Sequence, residues 1–308
     1  MTSSPLVRLR LGTRKSPLAL AQSRQTARAL EARHGGIAVE LVPVVTAGDV
    51  TPGDLAALGG KGLFTEELER GLLDGSLDLA VHSLKDLPVA LPAGLAVAAY
   101  PERADPRDVL VSDLAAGLDG LPAGAVVLTG SLRRRAQLLL RRPDLDVQPL
   151  RGNVDTRLRK WRESGAAGVV LAAAGLARLG LTDLPAHPIP PEHLLPAPGQ
   201  GTLALEVREG APAEAICRAL DHAATARAAI AERLVVAAFG GDCTLPLGAW
   251  AREEGDRIRI SALLATPDGT RAARGEGAAA DPEEAAAICV EALRADGAEA
   301  VLAAIAGR

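Results

Sequence analysis

The stretch FGGDCTLPLG, residues 239–248, sets Cys243 between a glycine pair and a proline. Free cysteines usually pack on the apolar faces of regular elements, and helical spacing suggests that role for Cys217 in AEAICRAL and Cys289 in AAAICVEAL. Cys243 has helix-breaking neighbours and is expected in a loop, where a thiol is either incidental or reactive. A second place is Lys85–Asp86 in AVHSLKDLP, one carboxylate in a basic neighbourhood. Such a carboxylate is a structural ion pair or turn cap; at a ligand site it would stabilise a developing cation or pass a proton. The third place is 131–162, with nine Arg and one Lys against three Asp, a local net of +7 in a chain of formal net charge −4. That run is a solvated helix face, a nucleic-acid groove or a small-polyanion site. A groove would want interleaved aromatics, and only Trp161 is present there. The arginines cluster at strand ends and helix starts, which favours the small polyanion.

GGKG at 59–62 invites a phosphate-loop reading and fails it. Position 55 is Leu where the first glycine belongs, and Gly62 replaces the required hydroxyl. With GDVTPGDLAALGG before it, the stretch reads as a flap or a plain surface loop. Of 34 basic residues only Lys15, Lys61, Lys85 and Lys160 are lysines. Lys61 and Lys85 lie in loop-like sequence and are lysine for chemical reasons if a compact ammonium is needed there.

These residues need a scaffold. At 308 residues the chain exceeds what one core usually holds, so two or three domains are expected. Hydrophobic residues make up 48% and aromatics 2%, which argues against disorder and for a core of Ala, Val, Leu and Ile. The acidic balance argues against a general nucleic-acid or anionic-membrane binder. No apolar signal segment is visible at the N-terminus, and the longest apolar stretch is too short to span a bilayer. Three cysteines and five histidines show no disulfide or metal spacing. A soluble cytoplasmic protein without a structural metal is expected.

LVRLRLGT reads as a strand and SPLALAQSRQTARALEAR as a helix with Ser16 as N-cap and Pro17 first. The strand AVELVPVVT, the helix GLFTEELERGLLDGS and the strand LDLAVHSL follow. After YPERADPRD, read as a polar crossing, the pattern restarts with GAVVLTGSLRRRAQLLLRR, LDVQPL, NVDTRLRKW and AAGVVLAAAG. Strand–helix alternation of this kind implies a parallel or mixed α/β sheet. From about 224 a helix, an antiparallel meander around EGD and PDG, and two Ala-rich helices predict a small α+β domain. Ligands of open α/β sheets sit beyond the carboxyl ends of the strands. Those ends hold Arg14 and Ser16; Thr46 and Asp49; His82, Ser83, Lys85 and Asp86; and Ser131, Arg133, Arg134 and Arg151.

Taken together, TRKSPLALAQS, VTAGD, GGKGLFTEEL, AVHSLKDLP, GSLRRRAQL, RGNVDTRL, AAAGLARLG, PAPGQG and the cysteine loop resemble the porphobilinogen deaminase (hydroxymethylbilane synthase) family, in order and nearly end to end. The resemblance implies two α/β lobes like those of periplasmic binding proteins, at 1–101 with 202–219 and at 107–195. A C-terminal α+β domain at 224–308 with a three-stranded antiparallel sheet would carry a covalent dipyrromethane. It implies stepwise condensation of four porphobilinogen molecules with loss of ammonia, then hydrolysis to linear hydroxymethylbilane. By the same resemblance Cys243 holds the cofactor as a thioether, and Asp86 and Lys85 are catalytic. Lys85, Ser83, Thr129, Ser131, Arg133, Arg134 and Asp49 bind the cofactor. Arg14, Ser16, Gln22, Arg151, Arg157, Arg178 and Gln200 bind substrate, and Lys61 and Phe64 belong to the flap. Porphobilinogen is the expected small-molecule partner, with no nucleic acid, no membrane and a monomeric state. Two positions depart from the family pattern: Asp242 precedes the cysteine, where its charge would raise the thiol pKa, and the second turn reads LTGSLRR rather than GTSSLRR. A non-catalytic two-lobed anion-binding module is the alternative; it leaves Cys243, Asp86 and the C-terminal domain unexplained.

Overall fold

A computed structural model describes residues 7–46, 65–240 and 245–307. In chain order its elements are β1 (Val7–Arg14), α1 (Pro17–Arg33), β2 (Ile37–Val44), α2 (Glu66–Leu73), β3 (Leu79–Ser83) and β4 (Leu95–Ala99). Next come β5 (Asp108–Val111), β6 (Val126–Thr129), α3 (Leu132–Arg141), β7 (Asp146–Pro149), α4 (Val154–Ser164), β8 (Gly168–Ala172), α5 (Ala173–Arg178) and β9 (Ala186–Pro188). The rest are β10 (Leu203–Arg208), α6 (Pro212–Arg218), α7 (Ala223–Ala238), β11 (Leu247–Glu254), β12 (Arg257–Ala265), β13 (Ala272–Ala279), α8 (Pro282–Ala295) and α9 (Ala298–Ala306). The chain divides into two compact units, Met1–Arg103 with Thr202–Ala226 and Ala104–Gly201 with Arg227–Arg308.

The first unit holds a five-stranded sheet in the order β2-β1-β3-β10-β4. Strands β1, β2 and β3 run parallel, and β10 returns antiparallel between β3 and β4. Parallel strands are covered on both faces, and the sequence supplies two apolar faces. Leu9, Leu11, Leu79 and Val81 pack with Ala27 and Leu30 of α1. Ala80 and Leu95 pack with Leu68 and Leu72 of α2 and with Leu77. Helix α1 starts as expected: Ser16 Oγ accepts from the Ala19 N–H at 3.3 Å, and Pro17 opens the helix.

The second unit contains a sheet of the same pattern, β7-β6-β8-β5-β9, with β7, β6 and β8 parallel and β5 antiparallel. Leu110, Val127, Val147 and Val170 line one side, and Val109, Leu128, Val169 and Trp161 the other. The same unit contains the antiparallel sheet β11-β12-β13, whose Leu247, Ile258, Ile260 and Leu264 pack with Val235, Cys289 and Leu293. The chain is thus mixed α/β, with two α/β sheets of like order and a small three-stranded antiparallel sheet. Strands β4, β5 and β9 were not legible beforehand. YPERADPRD is a crossing only in part, because its last residue, Asp108, opens β5.

Candidate active site

Because β1, β2 and β3 are parallel, their carboxyl ends share one edge of the first sheet. Arg14 ends β1 and is half-buried; Ser16 caps α1. Helix starts of this kind leave N–H groups that favour anions. Ser83 ends β3, and a single 3₁₀ turn, Leu84–Asp86, follows. That turn is tied at its start, where the Leu84 N–H donates to Thr202 O at 3.0 Å, and closes on itself through the Leu87 N–H to Leu84 O at 3.1 Å. It leaves Asp86 exposed and Lys85 half-buried. Gln22, buried on α1, donates from Nε2 to Ser83 Oγ at 2.8 Å, so α1 and the end of β3 are locked together. The first edge therefore brings together Arg14, Ser16, Gln22, Ser83, Lys85 and Asp86.

His82 does not join them. It lies buried, with Nε2 2.8 Å from Glu206 Oε2 on β10. Glu69 of α2 belongs to the same neighbourhood. Burial pushes its carboxyl above the usual range; the Thr65 hydroxyl lowers it again, Glu206 raises it and His82 lowers it.

The second sheet repeats the arrangement, with β6, β7 and β8 ending at one edge. Thr129 ends β6, and Ser131 is the N-cap of α3, accepting from the Arg134 N–H at 3.4 Å. Arg133 and Arg134, in the first turn of α3, are each only 4% exposed. Their partner is Asp108, fully buried where antiparallel β5 begins at this same edge. Arg134 donates to Asp108 Oδ1 from Nε at 3.0 Å and from Nη2 at 2.7 Å, and from Nη1 to Val170 O at 3.0 Å. Arg133 Nη1 lies 2.8 Å from Asp108 Oδ2, poorly angled for a hydrogen bond, and donates to Leu195 O. Gln200 Nε2 completes the set with bonds to Asp108 Oδ1 at 2.8 Å and Pro106 O at 2.7 Å. Burial alone would raise the Asp108 carboxyl, yet Arg133 and Arg134 hold it well below the usual carboxylate range.

Arg178, at the end of α5, donates from Nη2 to Gly201 O at 2.7 Å, and burial pushes its guanidinium down to about 10. Arg151 is exposed; Arg157 is half-buried and donates from Nε to Gly152 O at 2.7 Å. At the LTGSLRR departure, a Cβ on Gly130 would stand 2.3 Å from Leu150 O, the backbone after β7, so a side chain there would require this turn to shift.

Cys243, Asp49, Lys61, Phe64 and Asp242 lie outside the described residues. Cys217 and Cys289 are buried in helices, and burial pushes both thiols up to about 12, far from a reactive thiolate. Among the described residues no group of His, Cys, Asp and Glu could hold a metal ion.

The donor set suits a ligand bearing several carboxylates, as a dipyrromethane with acetate and propionate arms would. Two buried guanidiniums share one carboxylate, Arg133 Nε meets no acceptor among the described residues, and neither does Arg178 Nε. Buried N–H groups of this kind are expected to be satisfied by something. Asp108 escaped sequence reading because it sits in a Pro-containing polar stretch. Its only signal was the short apolar run DVLV, too brief to separate from the crossing.

The model "Porphobilinogen deaminase, dipyromethane cofactor binding domain" matches residues 9–215, and "Porphobilinogen deaminase, C-terminal domain" matches 226–296. A curated "Porphobilinogen deaminase" of Rubrobacter xylanophilus is 48% identical over 302 residues, covering 97% of this chain and 98% of that protein. Among solved structures, the Bordetella pertussis BvgS periplasmic VFT2 domain aligns at 16% identity and TM-score 0.40, over 70% of this chain and 86% of that one. The methionine binding protein MetQ aligns at 13% identity and TM-score 0.42, over 68% and 88%. With both family models spanning most of its length and a relative this similar end to end, the chain belongs to the porphobilinogen deaminase family.

Proposed function

We propose that Asp86 is the catalytic carboxylate of this enzyme and that the two sheet edges grip the carboxylates of its substrate and cofactor. The enzyme is a hydroxymethylbilane synthase, a transferase that condenses porphobilinogen units stepwise with release of ammonia. The dipyrromethane, joined to Cys243 as a thioether, supplies the primer pyrrole on which the chain grows. Asp86, held at the end of β3 by the tethered 3₁₀ turn, stabilises the cation formed as ammonia departs and takes up the pyrrole proton when the new bond is made. Lys85 and Ser83 hold a cofactor carboxylate on the first edge; Thr129, Ser131, Arg133 and Arg134 do so on the second, with Asp49 assisting. Arg14, Ser16, Gln22, Arg151, Arg157, Arg178 and Gln200 bind substrate carboxylates through charge-assisted bonds, and by the family resemblance Lys61 and Phe64 belong to a flap. The single observation supporting this reading is that both sheets gather guanidinium and hydroxyl donors at their carboxyl edges, with Asp86 the exposed acid beside Lys85.

We also infer that 1–101 with 202–219, 107–195 and 224–308 act as three domains, each sheet carrying apolar clusters of its own. The enzyme works as a cytoplasmic monomer without nucleic-acid or membrane partners, a reading the net charge of −4 supports. No helix among the described residues is long and apolar enough to cross a membrane.

The test is intact mass with Ehrlich's reagent on wild type, Cys243→Ser and Asp86→Asn, alongside turnover. Wild type and Asp86→Asn should carry the two-pyrrole increment, and Cys243→Ser should not. Asp86→Asn, though loaded, should lose about 100-fold or more in kcat. Normal turnover by Asp86→Asn would reject the assignment.

A further inference from the structure

We infer that Asp108 is a positioning residue of the second sheet edge: it holds the guanidinium planes of Arg133 and Arg134 together and leaves the pair one positive charge in excess, to be matched by a carboxylate of the bound pyrrole chain. The inference rests on the proposal that these two arginines meet such carboxylates.

The geometry carries it. Asp108 is fully buried at the start of β5, and Arg133 and Arg134 leave the first turn of α3 directly toward it. Oδ1 is taken by Arg134, through Nε at 3.0 Å and Nη2 at 2.7 Å, and by Gln200 at 2.8 Å. Oδ2 faces Arg133 Nη1 at 2.8 Å. One carboxylate thus fixes two guanidiniums that could not otherwise be buried side by side, since like charges at close range in a poorly solvated site repel strongly. The balance is incomplete, because two cations face one anion and Arg133 Nε remains without an acceptor among the described residues. An edge in this state is pre-organised for one further anion, with the orienting cost already met by folding. Removing Asp108 would leave the pair both misdirected and overcharged; lengthening it would keep the charge and shift its position by one C–C bond, about 1.5 Å.

The experiment compares full-length Asp108→Asn and Asp108→Glu with Arg133→Lys, Arg134→Lys and wild type. It measures cofactor loading by intact mass, the thermal midpoint, and kcat and KM for porphobilinogen on the loaded fraction. Expected for the Asp108 variants is folded protein that loads incompletely and shows KM raised by about tenfold or more, with kcat changed by less than about threefold. Asp108→Glu should sit between wild type and Asp108→Asn. A merely structural ion pair would lower the midpoint and leave loading and KM untouched, and that result overturns the inference. So does failure of both Asp108 variants to fold, which would place the whole effect in stability. The underlying reading fails separately: Arg133→Lys and Arg134→Lys would then load fully with unchanged KM, whatever the Asp108 variants do.

Discussion

At the scale of single residues the two sheet edges differ in how their charges are held. Asp86 is exposed on a tethered turn, whereas Asp108 is buried and ion-paired with two arginines. The carboxylate proposed to act in catalysis and the one proposed to position the arginines therefore differ in solvation, a difference no motif encodes. Glu69 gives a pH-dependent case. Its folded pKa is raised, chiefly by burial, with Glu206 and Glu66 adding to the rise and Thr65 and His82 opposing it. A carboxyl raised on folding contributes stability below its unfolded pKa, about 4.3, and that contribution is lost as pH rises through the folded value. Glu69→Gln removes the titration. The midpoint of Glu69→Gln minus that of wild type should thus be more positive at pH 8 than at pH 5, as thermal scans at the two pH values would show. A pH-independent difference would mean that Glu69 titrates alike in both states.

At the scale of elements, glycines at close approaches determine which pairs can pack. On β13, Gly275 and Gly277 face α8: a Cβ would stand 2.4 Å from Cys289 O at the first and 2.1 Å from Ala285 O at the second. Both obstacles are helix backbone, which cannot step aside as a flexible side chain can. Gly277→Ala is expected to force α8 off the sheet at a cost of about 1–3 kcal/mol or more. The midpoint should fall by roughly 5 °C or more by calorimetry, with KM near wild type where the variant remains folded. An unchanged midpoint would show that the helix can shift freely. In sequence RGEGA is part of the expected meander; only the partner helix reveals why side chains are excluded at its glycines.

For the whole molecule, a net charge of −4 coexists with a local +7 between 131 and 162. The excess is not uniform in kind, since Arg133 and Arg134 are buried and paired while Arg151 is exposed and Arg157 half-buried. Salt screens exposed charges and spares buried ones; from about 0.1 M to about 1 M the screening length falls from about 10 Å to about 3 Å. Over that range KM for porphobilinogen should rise severalfold with kcat nearly constant, as steady-state kinetics in NaCl would measure. A flat KM would assign substrate capture to the buried arginines alone.

Much of the architecture was legible in the chain. Ser16–Pro17 announced the start of α1, alternating apolar runs announced β1, β3, β6 and β8, and the turns EGD and PDG announced the third sheet. These features depend on local sterics, capping and periodicity, which neighbours in sequence determine. The arginines and hydroxyls at strand ends could be gathered into candidate edges for the same reason. What local rules could not supply was which of them meet. His82 stands among the strand-end residues in sequence, yet tertiary packing turns it to Glu206. Arg133 and Arg134 read as members of a small-polyanion site, yet Asp108, 25 and 26 residues earlier in the chain, pairs with both once β5 inserts beside β8. The chain by itself determined its elements, its excess of arginine and its family pattern. The tertiary structure decided which charges are neutralised, because pairing and burial depend on contacts between segments far apart in sequence.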